Sequence, residues 1–178
     1  MKQLFYLCLF LSFVFSSFTH DGNNAAEANY INHYNSIAVQ EMYNSKIPAS
    51  VILAQGMLES DLGRSVLASK ANNHFGIKCK SWSGPTYFKF DDDRDQKGNL
   101  VKSCFRVYDN SDQSYKDHSS FLMNSDRYQG LFVYRSSDYK SWANGLQACG
   151  YATDKSYARK LIKTIEEHQL YIYDVDLH

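Results

Sequence analysis

The chain has 178 residues, 44% hydrophobic and 21% charged, and its 19 basic and 19 acidic side chains cancel to a net charge of zero. That length and apolar fraction fit one globular domain with a real core and exclude a disordered chain. The charge balance speaks against nucleic acid as a partner.

Lys2 precedes an apolar run, LFYLCLFLSFVF, which gives way to Ser16 and Ser17. A basic start, a short apolar stretch and a small polar exit predict a secretory signal peptide over residues 1–20. The run is short for a membrane-spanning helix. The expectation is therefore export with cleavage, no stable membrane insertion afterwards, and a periplasmic or extracellular location. Cys8 follows Phe5, Tyr6 and Leu7 rather than small residues, which argues against lipoprotein modification. Loss of Lys2 with the leader leaves 18 basic against 19 acidic groups, a net charge of about −1. Residues 21–28 are small and polar and read as a linker to a single domain over 29–178.

Tyr30, Tyr34, Ile37, Ala38 and Met42 recur at helical spacing. A second helix is expected from Pro48 to about residue 62, stopped by Gly63. Its apolar residues cover most of its circumference, the pattern of a central helix with little solvent face. Further on, TYFKFDDD, the turn-forming QKGN and LVKSCFRVY predict a β-hairpin. Cys79 and Cys104 flank much of it, and of the three cysteines beyond the leader they are the preferred disulfide pair. Cys149 reads as a small buried residue. No C-x-x-C or H-E-x-x-H spacing points to a metal. Helices follow over 112–124, over 138–149 with Tyr139, Trp142, Ala143 and Leu146 on one face, and from near Asp154 with Ala158, Leu161, Ile162 and Ile165 inward. Five helices and one hairpin make an α+β chain that is mainly α.

One residue conflicts with its surroundings. In LAQGMLESDLG the carboxylate Glu59 lies in the helix expected to be buried, with Gly56 three residues before it and Gly63 four after, all on one helical face. A buried, unpaired carboxyl tends to hold its proton, which suits a general acid. Gly56 inside a helix costs about 1 kcal/mol relative to alanine, a loss without return unless something must approach the backbone there. The competing reading is structural: Glu59 pairs with Arg64 or Lys70, and Gly56 admits another helix. Asp91, Asp92 and Asp93 on the hairpin offer a second carboxylate, as glycosidic hydrolysis requires. A solvated edge is their alternative role. Phe75, Trp82, Tyr87, Phe88, Tyr128 and Tyr151 lie in or beside loops and hairpin, where flat rings can pack on sugars.

The strings IPASVILAQGMLESDLGRS, ANNHFGIKCKSW, CFRVY and GYATDKSYARKLIKTIE resemble, in order, the glucosaminidase family of bacterial cell-wall hydrolases, glycoside hydrolase family 73. The resemblance covers residues 29–174. It implies a lysozyme-like fold, a helical body with a small β-lobe bordering a groove, and cleavage of the β-1,4 bond between N-acetylglucosamine and N-acetylmuramic acid in peptidoglycan strands, without a cofactor. It makes Glu59 the general acid and Tyr151 the active-site tyrosine. The hairpin glutamate common in the family is missing, and the corresponding position falls on Asp92 or Asp93. Gly56, Asn73, Phe75, Trp82 and Tyr128 complete the expected substrate-binding set. A lytic transglycosylase and a catalytically inactive wall-binding module are the rival functions.

Overall fold

The computed structural model describes residues 18–177, apart from the side chains of residues 18–23 and of Asp92. Most of the expected leader, residues 1–17, lies outside the described residues. Six α-helices, two 3-10 helices and one hairpin follow in order: α1 (Phe18–Ser45), α2 (Ala49–Ser60), α3 (Val66–Ala71), β1 (Thr86–Arg94), β2 (Leu100–Arg106), α4 (Ser111–Met123), a 3-10 helix Asp126–Val133, α5 (Tyr139–Ala148), α6 (Tyr157–Glu167) and a 3-10 helix Leu170–Tyr173. Residues 21–28, expected as a linker, belong to α1. Ala25, Ala26, Glu27 and Ala28 are strong helix formers and extend it upstream. No described helix is long and apolar enough to cross a membrane.

α2 is the axis of the helical body and touches α1, α5, α6 and the C-terminal 3-10 helix. All its residues are buried except Leu58 and Glu59, so it meets solvent only in its last turn. Around it close Met42, Trp142, Leu146, Leu161, Ile165 and Leu170, none of them exposed. Pro48 is the N-cap rather than a first-turn residue, and no side chain of its own caps the helix. That task falls to Asp174, whose Oδ1 accepts from the Ser50 amide at 2.8 Å and whose Oδ2 accepts from the Ser50 hydroxyl at 2.6 Å. The helix ends at Ser60, two residues before the expected limit, in a left-handed run through Asp61, Leu62 and Gly63. Gly63 therefore shares no helical face with Glu59.

The hairpin is antiparallel, pairing Thr86 with Arg106 through Phe90 with Lys102, and slips between Phe90 and Arg94. A third short arm joins it where Cys79 and Arg106 donate to the Cys104 and Ile77 carbonyls at 2.9 and 3.0 Å. The Cys79–Cys104 disulfide locks that arm. Closing a loop of 25 residues stabilises the fold by about 3.5 kcal/mol in the chain-entropy view. Cys149 is a free thiol, half-buried rather than buried.

Asn73 joins the small sheet to the helices. Its amide donates to the Ile77 and Arg106 carbonyls at 3.0 and 2.9 Å and accepts from the Ile77 N–H at 3.0 Å. A buried amide with this set is a brace, not the substrate contact expected from the sequence. Trp82 is similarly engaged: its indole N–H donates to the Pro85 carbonyl at 2.9 Å, and the Arg106 guanidinium lies 5.1 Å above its ring.

Candidate active site

Between the hairpin and the helical body lies an open cavity of about 550 Å³. Glu59, Phe75 and Leu67 form part of its floor, Lys78, Lys89 and Asp91 belong to the β side, and Tyr128, Tyr151 and Ala152 to the helical side. Four sequence-predicted residues thus come together here: Glu59, Phe75, Tyr128 and Tyr151.

Glu59 is exposed, a departure from the buried carboxylate expected. Solvent reaches it through the mouth of the cavity, while protein crowds it on the remaining sides. That crowding raises its pKa, and a hydrogen bond from Tyr157 partly opposes the rise. No ion pair to Arg64 forms, because Arg64 turns to Asp61 at 2.7 Å. The carboxyl is therefore biased toward its protonated form yet open to a ligand.

Behind Glu59 stands a short relay that the sequence did not advertise. Gln55 Nε2 donates to the Tyr157 oxygen at 2.9 Å, and Tyr157 Oη lies 3.3 Å from Glu59 Oε1. With the Tyr157 lone pair taken by Gln55, its O–H is free to donate to the Glu59 carboxylate. Gln55 Oε1 is buried without a partner among the described residues. A half-turn of the amide would present that oxygen to the Tyr157 hydroxyl and leave the phenol oxygen to accept from protonated Glu59. The relay can serve both protonation states. Tyr157 escaped notice because, as the first residue of α6 and nearly fully buried, it reads as core.

Tyr151 follows Gly150, whose φ of +70° favours glycine, and stacks on Tyr157 with centroids 5.4 Å apart. Burial, then the neighbouring Tyr157 and Glu59, push its phenol well above the ordinary range, so it presents a neutral O–H. On the hairpin the structure separates Asp91 from Asp93. Asp91 lines the cavity and lies 3.3 Å from Lys78 Nζ. Asp93 does not line it: it takes Lys78 at 2.6 Å and a hydrogen bond from Ser103, which together pull its carboxyl below the usual range. The Asp92 side chain lies outside the described residues. The register is irregular between Phe90 and Arg94, the stretch that holds all three aspartates, so alternation along the sequence does not tell which of them face the cavity.

Gly56 is away from the cavity. A β-carbon there would stand 2.7 Å from the hydroxyls of both Tyr30 and Tyr115, which are hydrogen-bonded to each other at 2.9 Å. The glycine admits these two phenols, from α1 and α4, rather than a sugar. Among the described residues no cluster of three or more histidine, cysteine or acidic side chains could hold a metal.

Residues 35–170 match the glucosaminidase family model, described as mannosyl-glycoprotein endo-beta-N-acetylglucosaminidase. The exo-glucosaminidase LytG of Bacillus subtilis is 35% identical over 130 residues, 70% of this chain and 45% of that protein. The peptidoglycan hydrolase FlgJ of Pseudomonas aeruginosa is 33% identical over 132 residues, 70% of this chain and 32% of that protein. The chain thus spans less than half the length of these curated relatives. Among solved structures, the catalytic domain of the Listeria monocytogenes autolysin Auto superposes with a TM-score of 0.70 at 25% identity, covering 92% of this chain and all of that one. The glycoside hydrolase domain of Salmonella typhimurium FlgJ gives 0.64 at 30% identity, covering 80% and 88%.

Proposed function

The chain belongs to the glucosaminidase family and has its lysozyme-like fold, and from that premise we propose that it is a peptidoglycan hydrolase cutting the β-1,4 bond between N-acetylglucosamine and N-acetylmuramic acid. The observation that carries this reading is Glu59: the one acidic residue of α2, open to the cavity, with a raised pKa and a phenol behind it. A protonated Glu59 gives its proton to the glycosidic oxygen as the bond from that oxygen to the anomeric carbon breaks. The Tyr157 hydroxyl then donates to the new carboxylate. Tyr151, neutral and beside Glu59, is suited to hold the acetamido group of the sugar. Asp91, which lines the cavity, joins Asp92 as a candidate second carboxylate, activating the water that attacks the anomeric carbon, whereas Asp93 is occupied by Lys78 and Ser103.

An endo-acting, exported enzyme remains the reading for the intact protein. The disulfide supports export, since such bonds persist in oxidising compartments, and the apolar leader supports it further.

The test is digestion of purified sacculi by the parent and by Glu59→Gln, Asp91→Asn and Asp93→Asn proteins, with identification of new chain ends. Expected are reducing-end N-acetylglucosamine from the parent, none from Glu59→Gln despite an unchanged fold, a large loss in Asp91→Asn and little change in Asp93→Asn. Anhydromuramoyl ends would establish the transglycosylase instead. Release of single sugars alone, without internal cuts, would assign exo action. Full turnover by Asp91→Asn would transfer its role to Asp92 or to the substrate's own acetamido group.

A further inference from the structure

The whole chain is neutral, yet five cations line the cavity, Lys78, Lys80, Lys89, Arg106 and Arg127, against two carboxylates, Glu59 and Asp91. Two of the five are balanced within the protein. Lys78 is held by Asp91 and Asp93, and Arg106 makes a two-pronged contact with Asp117 at 2.8 and 2.7 Å. Lys80, Lys89 and Arg127 form no ion pair among the described residues. Each instead lies over an aromatic ring that lines the same cavity: Lys80 5.6 Å from Phe121, Lys89 5.6 Å from Phe105 and Arg127 5.9 Å from Tyr128. A ring steers a cation and limits its wandering, but does not neutralise it. Three positioned, uncompensated cations in one cleft focus a positive field on whatever occupies it.

We propose that Lys80, Lys89 and Arg127 form an anion subsite that selects glycan strands bearing carboxylates over neutral N-acetylglucosamine polymers. The inference rests on the glycosidase reading above and adds a substrate preference to it. A polymer of N-acetylglucosamine carries no charge and gains nothing from the three cations. A peptidoglycan strand offers carboxylates from two sources, the lactyl ether of muramic acid once its peptide is removed, or the peptide itself. The cations lie on different parts of the cavity wall, on the segment following the disulfide cysteine, on β1 and in the 3-10 helix after α4. They therefore address substituents along a strand rather than one point.

The experiment measures kcat/KM at low and at about 0.3 M salt for three saccharides: an N-acetylglucosamine oligomer, strands stripped of peptide, and strands bearing peptide. It compares the parent with Lys80→Gln, Lys89→Gln and Arg127→Gln. Each cation sits partly in solvent, so each variant is expected to lose roughly threefold to tenfold on carboxylated strands, mainly through KM, and high salt to erase much of the difference. The neutral oligomer should respond to neither change. Losses on stripped strands assign the lactyl carboxylate, and losses confined to peptide-bearing strands assign the peptide. Equal losses on all three saccharides, or salt-independent turnover of carboxylated strands, would overturn the subsite. If nothing is cleaved, the glycosidase reading fails separately. Retention of the same saccharides by parent and triple variant then reads the subsite without turnover: equal retention of charged and neutral strands by the parent overturns it, and preferential retention lost in the triple variant supports it.

Discussion

Replacing Gly56 by alanine sets two opposed effects against each other at one position. In an exposed helix interior the change would stabilise by about 1 kcal/mol through helix propensity. Here the added methyl would stand 2.7 Å from the Tyr30 and Tyr115 hydroxyls and 3.3 Å from the Tyr115 ring carbon bearing its hydroxyl. Neither phenol has room to retreat: Tyr115 is completely buried, Tyr30 is 4% exposed, and Tyr30 is also bonded to His74 Nδ1 at 2.9 Å. Overpacking of this kind costs about 1–3 kcal/mol, and loss of the Tyr30–Tyr115 hydrogen bond adds about 1. The net expectation is a destabilisation of roughly 1–3 kcal/mol, seen in urea unfolding and as a fall in Tm of several degrees. Turnover per folded molecule should change little, because the glycine does not line the cavity. A variant more stable than the parent, with turnover abolished, would refute this account and return Gly56 to the sugar groove.

Tyr157→Phe removes the hydrogen bond that lowers the Glu59 pKa, so the carboxyl should keep its proton to higher pH and the basic limb of the pH–rate profile should move upward. A limb that stays in place, or moves down, would remove Tyr157 from the role given to it. Burial holds Asp174 at about 6, above its unfolded value near 4, so the folded state binds the extra proton: the contribution of this one group to stability is most favourable below about pH 4, falls between 4 and 6, and carries the full penalty of roughly 3 kcal/mol above that. Asp174→Asn keeps an acceptor for the Ser50 amide and loses the charge. Its stability relative to the parent, from urea melts, should therefore improve progressively from pH 4 to 6 and level off above. Reduction of the Cys79–Cys104 disulfide should cost about 2–5 kcal/mol and act first on the hairpin. Amide exchange in residues 86–106 should then rise before exchange in α2.

What could be read from the sequence follows the range of the forces involved. Periodicity is local, and α2, α5 and the hairpin all stand where their patterns indicated. α3 was missed because six residues are too few to display a period, although Ser65 at its N-cap accepts from the Ala68 amide at 3.2 Å. Gly56 was conspicuous as a missing side chain, but its cause lies in Tyr30 and Tyr115, which only the tertiary fold brings over it. Glu59 and Tyr151 stood out through helix context and motif resemblance. The relay behind them did not, because a buried glutamine and tyrosine announce no chemistry until a carboxylate is placed beside them. Placing Asp91 on the cavity and Asp93 off it demanded the register of an irregular strand, which no alternation rule supplies.

The recognisable family pattern spans 35–170, yet the folding unit is larger at both ends. A protein trimmed to that span would lose Tyr30, which packs against Gly56, and Asp174, which caps the helix carrying Glu59. It would also lose Val175, whose amide meets the Met42 sulfur at 3.4 Å and whose carbonyl takes the Ser136 hydroxyl at 2.7 Å. Tyr30 and Asp174, on either side of that span, thus act as clasps on one central helix. A domain excised for transplantation into another protein has to be cut upstream of Tyr30 and downstream of Leu177, whose own amide is held by Ser136.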